Sequence, residues 1–79
     1  MYELWNEDIK ISVITDRKPY FDVYLRFMGD SSGAIVFSTF NRTKANSVAE
    51  YLKSIPRELL ADTLQAFKAM QAKTQSRGV

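Results

Sequence analysis

The sequence predicts an α+β domain of two layers, in which a three-stranded antiparallel sheet is followed by two helices packed on one face. Three observations predict this class. Apolar and polar residues alternate between residues 8 and 40, apolar residues recur at helical spacing between residues 43 and 71, and the two patterns stay separate. Strands grouped before helices are typical of α+β domains, because parallel sheets carry helices between their strands.

The length of 79 residues predicts a single domain that spans residues 1–79. Hydrophobic residues make up 46% and charged residues 25% of the chain, which is ordinary globular composition and argues against disorder. Residues 72–79 are polar and lack periodicity, so we expect them to form a flexible tail.

Alternation defines the first two predicted strands. In residues 8–15, Ile9, Ile11 and Val13 alternate with Lys10 and Ser12. In residues 20–28, one set of alternate residues is apolar and is expected to face the helices: Phe21, Val23, Leu25 and Phe27. The intervening residues are expected to face away from the helices: Tyr20, Asp22, Tyr24 and Arg26.

The third predicted strand covers residues 34–40 and follows a loop of five turn-forming residues, 29–33. Its β-branched and aromatic residues favour a strand. We expect Ile35 and Phe37 to point inward, with the alternate residues on the other face: Val36, Ser38 and Phe40.

Two amphipathic helices follow. Thr43 is the expected N-cap of the first, whose stripe comprises Ala45, Val48, Ala49, Leu52 and Ile55. Pro56 ends that helix and suits the first turn of the next. The second stripe comprises Leu60, Leu64 and Phe67, helped by Leu59 and Met70.

The chain contains no cysteine and no histidine. Disulfides, thiolate sites, most zinc sites and His-based nucleophile systems are therefore excluded. The carboxylates form no calcium-loop motif, and the loop at 29–33 lacks the features of a phosphate-binding loop. We therefore expect a protein that is not an enzyme, with no catalytic residues, no metal site and no cofactor.

Charge is distributed unevenly around a formal net charge of +2. Residues 1–30 carry four basic and six acidic groups, a net of −2, and residues 31–79 carry seven basic and three acidic groups, a net of +4. No apolar stretch is long enough to span a bilayer, and the acidic N-terminus does not resemble a secretory signal. The expected location is the cytoplasm, without membrane contact.

The sheet face turned away from the helices is the predicted binding surface. Tyrosine and arginine are enriched in binding hot spots, so we expect this face to bind a protein partner through Lys10, Tyr20, Asp22, Tyr24 and Arg26. The alternative is a nucleic-acid-binding module, because aromatic sheets also stack single-stranded RNA bases. The carboxylate of Asp22 would repel a phosphate backbone. The expected state is a monomer or a homodimer, paired through an exposed edge for which the strand at 8–15 is the candidate.

Two resemblances bear on these alternatives. The segment from Phe37 to Leu52 resembles the strand-to-helix join of the arm-binding domains of phage integrases, which implies DNA binding. The passage from Val36 to Thr43, leading into Ala49-Glu-Tyr-Leu52 and a second amphipathic helix, resembles the small anti-CRISPR proteins of phages and other mobile elements. That resemblance implies a stoichiometric inhibitor that binds a type I CRISPR effector (Cascade) and blocks its binding to target DNA.

Overall fold

Four strands precede two helices in the computed structural model, which describes residues 2–77, with side chains described for residues 2–71. The elements are β1 (Tyr2–Asn6), β2 (Ile9–Ile14), β3 (Phe21–Phe27), β4 (Ala34–Thr39), α1 (Arg42–Ser54) and α2 (Arg57–Arg77). The strands form one antiparallel sheet in the order β1-β2-β3-β4. The predicted α+β class is confirmed, with one strand more than expected.

The additional strand is β1, which pairs with β2 along its whole length, from Tyr2 opposite Val13 to Asn6 opposite Ile9. The predicted first strand is therefore β2, an interior strand, and its proposed role as an exposed edge was wrong. A turn of two residues joins β1 to β2, and Glu7 adopts a φ of 54° there. Asn-Gly and Asp-Gly are the usual signals of such a turn, and this chain has Glu-Asp instead.

The hydrophobic core lies between the helices and one face of the sheet, as predicted. Ile9, Ile11, Val23 and Leu25 are fully buried on that face. The helices meet them with further fully buried residues: Ala45, Ala49, Leu60 and Leu64. The two alanines carry only a methyl group, so the backbone of α1 can approach the sheet closely.

A β-bulge in β4 changes which residues of that strand face the core. Val23 pairs with Phe37, but Tyr24 pairs with Ile35, so Val36 is the extra residue. Val36 packs against the core, whereas Ile35 lies beside Tyr24 on the opposite face. The predicted orientations of Ile35 and Val36 were therefore wrong, and that of Phe37 is confirmed.

The helix boundaries differ from the prediction in detail. Asn41, not Thr43, is the N-cap of α1, and its side chain accepts a hydrogen bond of 3.0 Å from the backbone N of Lys44. Leu59 and Met70 are mostly exposed, so they do not extend the buried stripe of α2. The backbone of α2 remains helical to Arg77. The side chains of the predicted tail, 72–79, lie outside the described residues.

Side chains of the first hairpin hold the junction between the two helices. The amide of Asn6 donates hydrogen bonds to the carbonyl oxygens of Leu52 (3.1 Å) and Ile55 (2.9 Å). These satisfy backbone acceptors at the C-terminal end of α1, which the helix itself leaves unpaired. Asp8 pairs with Arg57 in the first turn of α2 (2.7 Å). Within the described residues, neither helix is both long and apolar enough to cross a membrane.

Candidate binding surface on the open sheet face

The sheet face turned away from the helices is called the open face here. The strand pairing places ten side chains on it, in rows that run across the strands. They are Glu3, Trp5, Lys10, Ser12, Ile14, Asp22, Tyr24, Arg26, Ile35 and Ser38. Tyr20 and Phe40 extend this face at the start of β3 and just beyond the end of β4.

An exposed group of two aromatic rings and one guanidinium occupies one corner of the open face. The rings of Tyr20 and Phe40 are stacked, with their centroids 4.8 Å apart and an interplanar angle of 24°. The guanidinium of Arg17 lies over the Tyr20 ring at 5.1 Å from its centroid. Tyr20 is 38% and Phe40 is 66% exposed. We call these three residues the aromatic corner.

A buried carboxylate fixes the position of the aromatic corner. Asp22 is fully buried and accepts two hydrogen bonds from Arg17, from Nε at 3.0 Å and from Nη2 at 2.9 Å. The hydroxyl of Ser38 donates a third, at 2.6 Å. The bonds from Arg17 lower the pKa of Asp22 below its ordinary value, against the opposing effect of burial, and the bond from Ser38 adds to the lowering. Arg17 is thereby held in a fixed orientation.

This burial overturns one of the predicted contacts. Asp22 was expected to meet a partner directly, but its side chain has no accessible surface. The alternation of β3 does place Asp22 on the open face, as predicted. Arg17 then covers it, because the loop before β3 folds back across the strand and Tyr20 N donates to Arg17 O (2.8 Å). Asp22 is therefore a positioning residue for Arg17.

The other predicted residues lie on the open face, in less exposed positions than Tyr20. Lys10 forms an ion pair of 3.0 Å with Glu3, and Arg26 donates to the main-chain oxygen of Asp30 at 2.8 Å. Tyr24 is half-buried. Its ring lies close to Gly33, where a Cβ atom would be 1.9 Å from the carbonyl oxygen of Leu25, so only glycine fits there.

Three residues of the surface were not among the predicted partner contacts: Trp5, Arg17 and Phe40, of which Phe40 was expected to lie on this face. Trp5 is 44% exposed at the β1 edge of the open face. Its strand shows a short alternation, in which Tyr2 and Leu4 face the core, but five residues give little periodic signal. Arg17 lies in a loop, where periodicity assigns no face.

Two of the three cations on the open face are paired with carboxylates, and the third is hydrogen-bonded to the main chain. The partners of the three cations are Glu3 for Lys10, Asp22 for Arg17 and a main-chain carbonyl for Arg26. The face therefore presents aromatic rings and internally paired charges, and this combination is suited to contact rather than to acid–base chemistry. Among the described residues, no group of three or more acidic side chains is arranged to hold a metal ion.

A cleft of about 430 Å³ lies on the other side of the sheet, beside the first turns of α1. Phe21, Arg42 and Asn46 line it, and the guanidinium of Arg42 lies 5.4 Å from the centre of the Phe21 ring. Among the described residues that line it, Asp16 supplies the sole carboxylate. Metal-free hydrolysis by paired carboxylates needs two of them across the scissile bond.

Comparison with known proteins assigns the chain to no family. No family model, no curated protein and no solved structure matches the chain.

Proposed function

We propose that this protein is a non-enzymatic binding module that engages a protein partner through its open sheet face, with the aromatic corner as the anchor. The observation that carries this proposal is the stacked Tyr20–Phe40 pair beside an Arg17 that is fixed by buried Asp22. Tyrosine and arginine dominate the binding energy of protein interfaces. A side chain that is already ordered loses little conformational entropy on binding.

The paired charges favour a protein partner over a nucleic acid. Phosphate backbones bind through lysine and arginine side chains that release counterions. Lys10 and Arg17 are already neutralised by Glu3 and Asp22. A nucleic acid would have to displace those carboxylates or tolerate them, whereas a protein surface can meet the exposed rings without breaking either pair.

The anti-CRISPR resemblance suggests a specific kind of partner. An inhibitor that works by occupying a surface needs an exposed anchor and no catalytic group, and the open face fits that description. In this form of the proposal, the protein binds a type I CRISPR effector and blocks its binding to target DNA. A gel-shift assay with a purified type I complex and labelled target DNA tests this form, and an unchanged shift with excess protein would limit the proposal to other partners.

The general proposal is tested with two matched variants, Phe40→Ala and Tyr51→Ala. Both side chains are aromatic and 66% exposed, but Tyr51 lies on α1, in the layer on the other side of the sheet. Each variant is used as bait in quantitative affinity capture from cell lysate. The captured partner is then purified, and its affinity for each variant is measured by calorimetry.

We expect Phe40→Ala to weaken partner binding at least ~10-fold, while Tyr51→Ala changes it by less than about twofold. A partner that loses affinity equally with both variants, or only with Tyr51→Ala, would contradict the assignment of the anchor. The nucleic-acid alternative is tested with labelled single-stranded and double-stranded oligonucleotides at two salt concentrations. Tight binding that weakens steeply with salt would favour that alternative instead.

A further inference from the structure

The sheet has two edges, and they differ in how well they are protected against pairing with another strand. β4 contains the bulge at Val36, which interrupts its regular pairing. β1 pairs with β2 over all five of its residues without a register shift. Bulges are one of the devices by which proteins discourage edge-to-edge association, and β1 contains neither a bulge nor a proline.

From this difference we infer that two copies of the chain pair through β1, antiparallel and about a twofold axis at Leu4. The two four-stranded sheets would then become one continuous sheet. The inference goes beyond the proposed function, because it concerns the β1 edge and leaves the aromatic corner, at the β3–β4 end of the open face, uncovered.

The side chains of β1 are compatible with pairing to themselves. With the axis at Leu4, each Leu4 faces its counterpart, each Glu3 faces Trp5 of the other copy, and each Tyr2 faces Asn6. Like charges therefore never lie directly opposite each other, which would destabilise the pair. Trp5, which is 44% exposed in a single chain, would be covered by the added strand.

Charged residues of α1, which packs over β1, would add complementary contacts between the two copies. The Tyr2 hydroxyl donates to the carboxylate of Glu50, and Asn6 contacts the carbonyls of Leu52 and Ile55. The last turns of α1 therefore run alongside β1 in the same direction. Lys53 lies three residues after Glu50 and so on the same side of the helix. The twofold axis would bring Glu50 of one copy towards Lys53 of the other.

The test uses the full chain and a pair of charge-matched variants, Trp5→Glu and Phe40→Glu. Each replaces an exposed aromatic residue by glutamate, one on β1, where it would lie opposite Glu3 of the other copy, and one at the opposite side of the sheet. Sedimentation velocity is run on each protein from 5 µM to about 1 mM, a range that covers the micromolar affinities of small interfaces. Circular dichroism checks that both variants fold.

The wild-type protein and Phe40→Glu are expected to form dimers with micromolar dissociation constants, and Trp5→Glu should raise that constant at least ~10-fold, because like charges would lie directly opposite each other. Trp5 is the single tryptophan of the chain, so the emission of the wild type should shift to shorter wavelength as the dimer forms. Hydrogen exchange of amides in β1, and not in β4, should slow over the same concentration range. A wild-type chain that stays monomeric, or a dimer that Phe40→Glu disrupts as strongly as Trp5→Glu, would overturn the inference.

Discussion

The two faces of the sheet are made from alternate residues of the same strands, yet they differ in nearly every physical property. On the face towards the helices, Ile9, Ile11, Val23 and Leu25 have no accessible surface. On the open face, Trp5 and Tyr20 are substantially exposed, and Lys10 and Arg17 are paired with carboxylates. One face therefore contributes most of the stability of the fold, and the other leaves apolar surface available for a partner.

The ion pair between buried Asp22 and half-exposed Arg17 serves both stability and the proposed binding. Asp22 belongs to the open face by its position on β3, but its burial resembles that of a core residue. It stabilises the loop before β3 and orients Arg17 at the same time. Stability and binding are thus separable over most of the sheet and coupled at this one corner.

The largest effect on stability is expected from a cavity in the sheet face that packs against the helices. Leu25→Ala should lower the free energy of unfolding by about 2–5 kcal/mol, because a fully buried side chain is lost and the helices cannot collapse fully into the gap. Phe40→Ala, at an exposed position of the open face, should cost less than about 1 kcal/mol. Urea unfolding followed by circular dichroism measures both. Similar losses of unfolding free energy in the two variants would contradict the proposed difference between the two faces.

An intermediate loss of unfolding free energy is expected when the ion pair is broken. The loss should be larger when Arg17 is replaced than when Asp22 is replaced. Arg17→Met leaves the buried Asp22 carboxylate with Ser38 as its remaining side-chain donor, and we expect a loss of about 2–3 kcal/mol. Asp22→Asn should cost about 1 kcal/mol, because the side chain of Arg17 is 55% exposed and water can solvate it.

The same pair of variants predicts a change in protonation. In Arg17→Met, the pKa of Asp22 should rise, because the donor that lowers it is gone while burial, which raises it, remains. Carboxyl chemical shifts in an NMR titration report this pKa directly. An equal stability loss in the two variants, with no rise of the pKa, would show that Asp22 and Arg17 do not depend on each other.

The smallest effect on stability is expected from a change of pH. The pKa values of Asp22 and Asp8 are lowered in the folded protein, in each case mainly by hydrogen bonds from an arginine, Arg17 and Arg57 respectively. The stability that they contribute is present above their unfolded pKa of about 3.9, and it is lost as the pH falls through the lower folded values. The melting temperature should therefore decrease below about pH 4.

Between about pH 5.5 and 8.5 the melting temperature should stay nearly constant, since the chain has no histidine or cysteine to titrate there. Asp22→Asn should make the decrease at low pH shallower, because the carboxylate with the lowered pKa is removed. Melting curves at intervals of half a pH unit provide the measurement. A decrease centred near neutral pH would contradict this account.

Periodicity predicted the regular parts of the fold and failed where local geometry departs from it. The alternation in β2 and β3 and the helical stripe from Ala45 to Ile55 led to the correct core. The bulge at Val36 was not predictable, because residues 34–37 are all apolar and alternation cannot assign their faces. β1 was missed because it is short and its turn lacks glycine and asparagine.

The candidate surface was predictable in its position and less so in its composition. Alternation placed Tyr20, Tyr24 and Arg26 on the correct face of β3. It could not show that Arg17 would cover Asp22, because the course of a loop depends on contacts that have no periodic pattern. Hydrogen bonding between residues five apart in sequence, Arg17 and Asp22, is visible only in the folded chain.

The contacts of Asn6 have a consequence for the order in which the chain folds. Its side chain bonds to carbonyls 46 and 49 residues later in the sequence, separations of more than half of the 79-residue chain. Contacts between distant positions slow folding, because a large loop must close before they form. During synthesis, β1 leaves the ribosome before α1 but cannot complete its contacts until Ile55 has followed. The hairpin at the N-terminus is therefore expected to dock late, onto a helix that the rest of the sheet has already ordered.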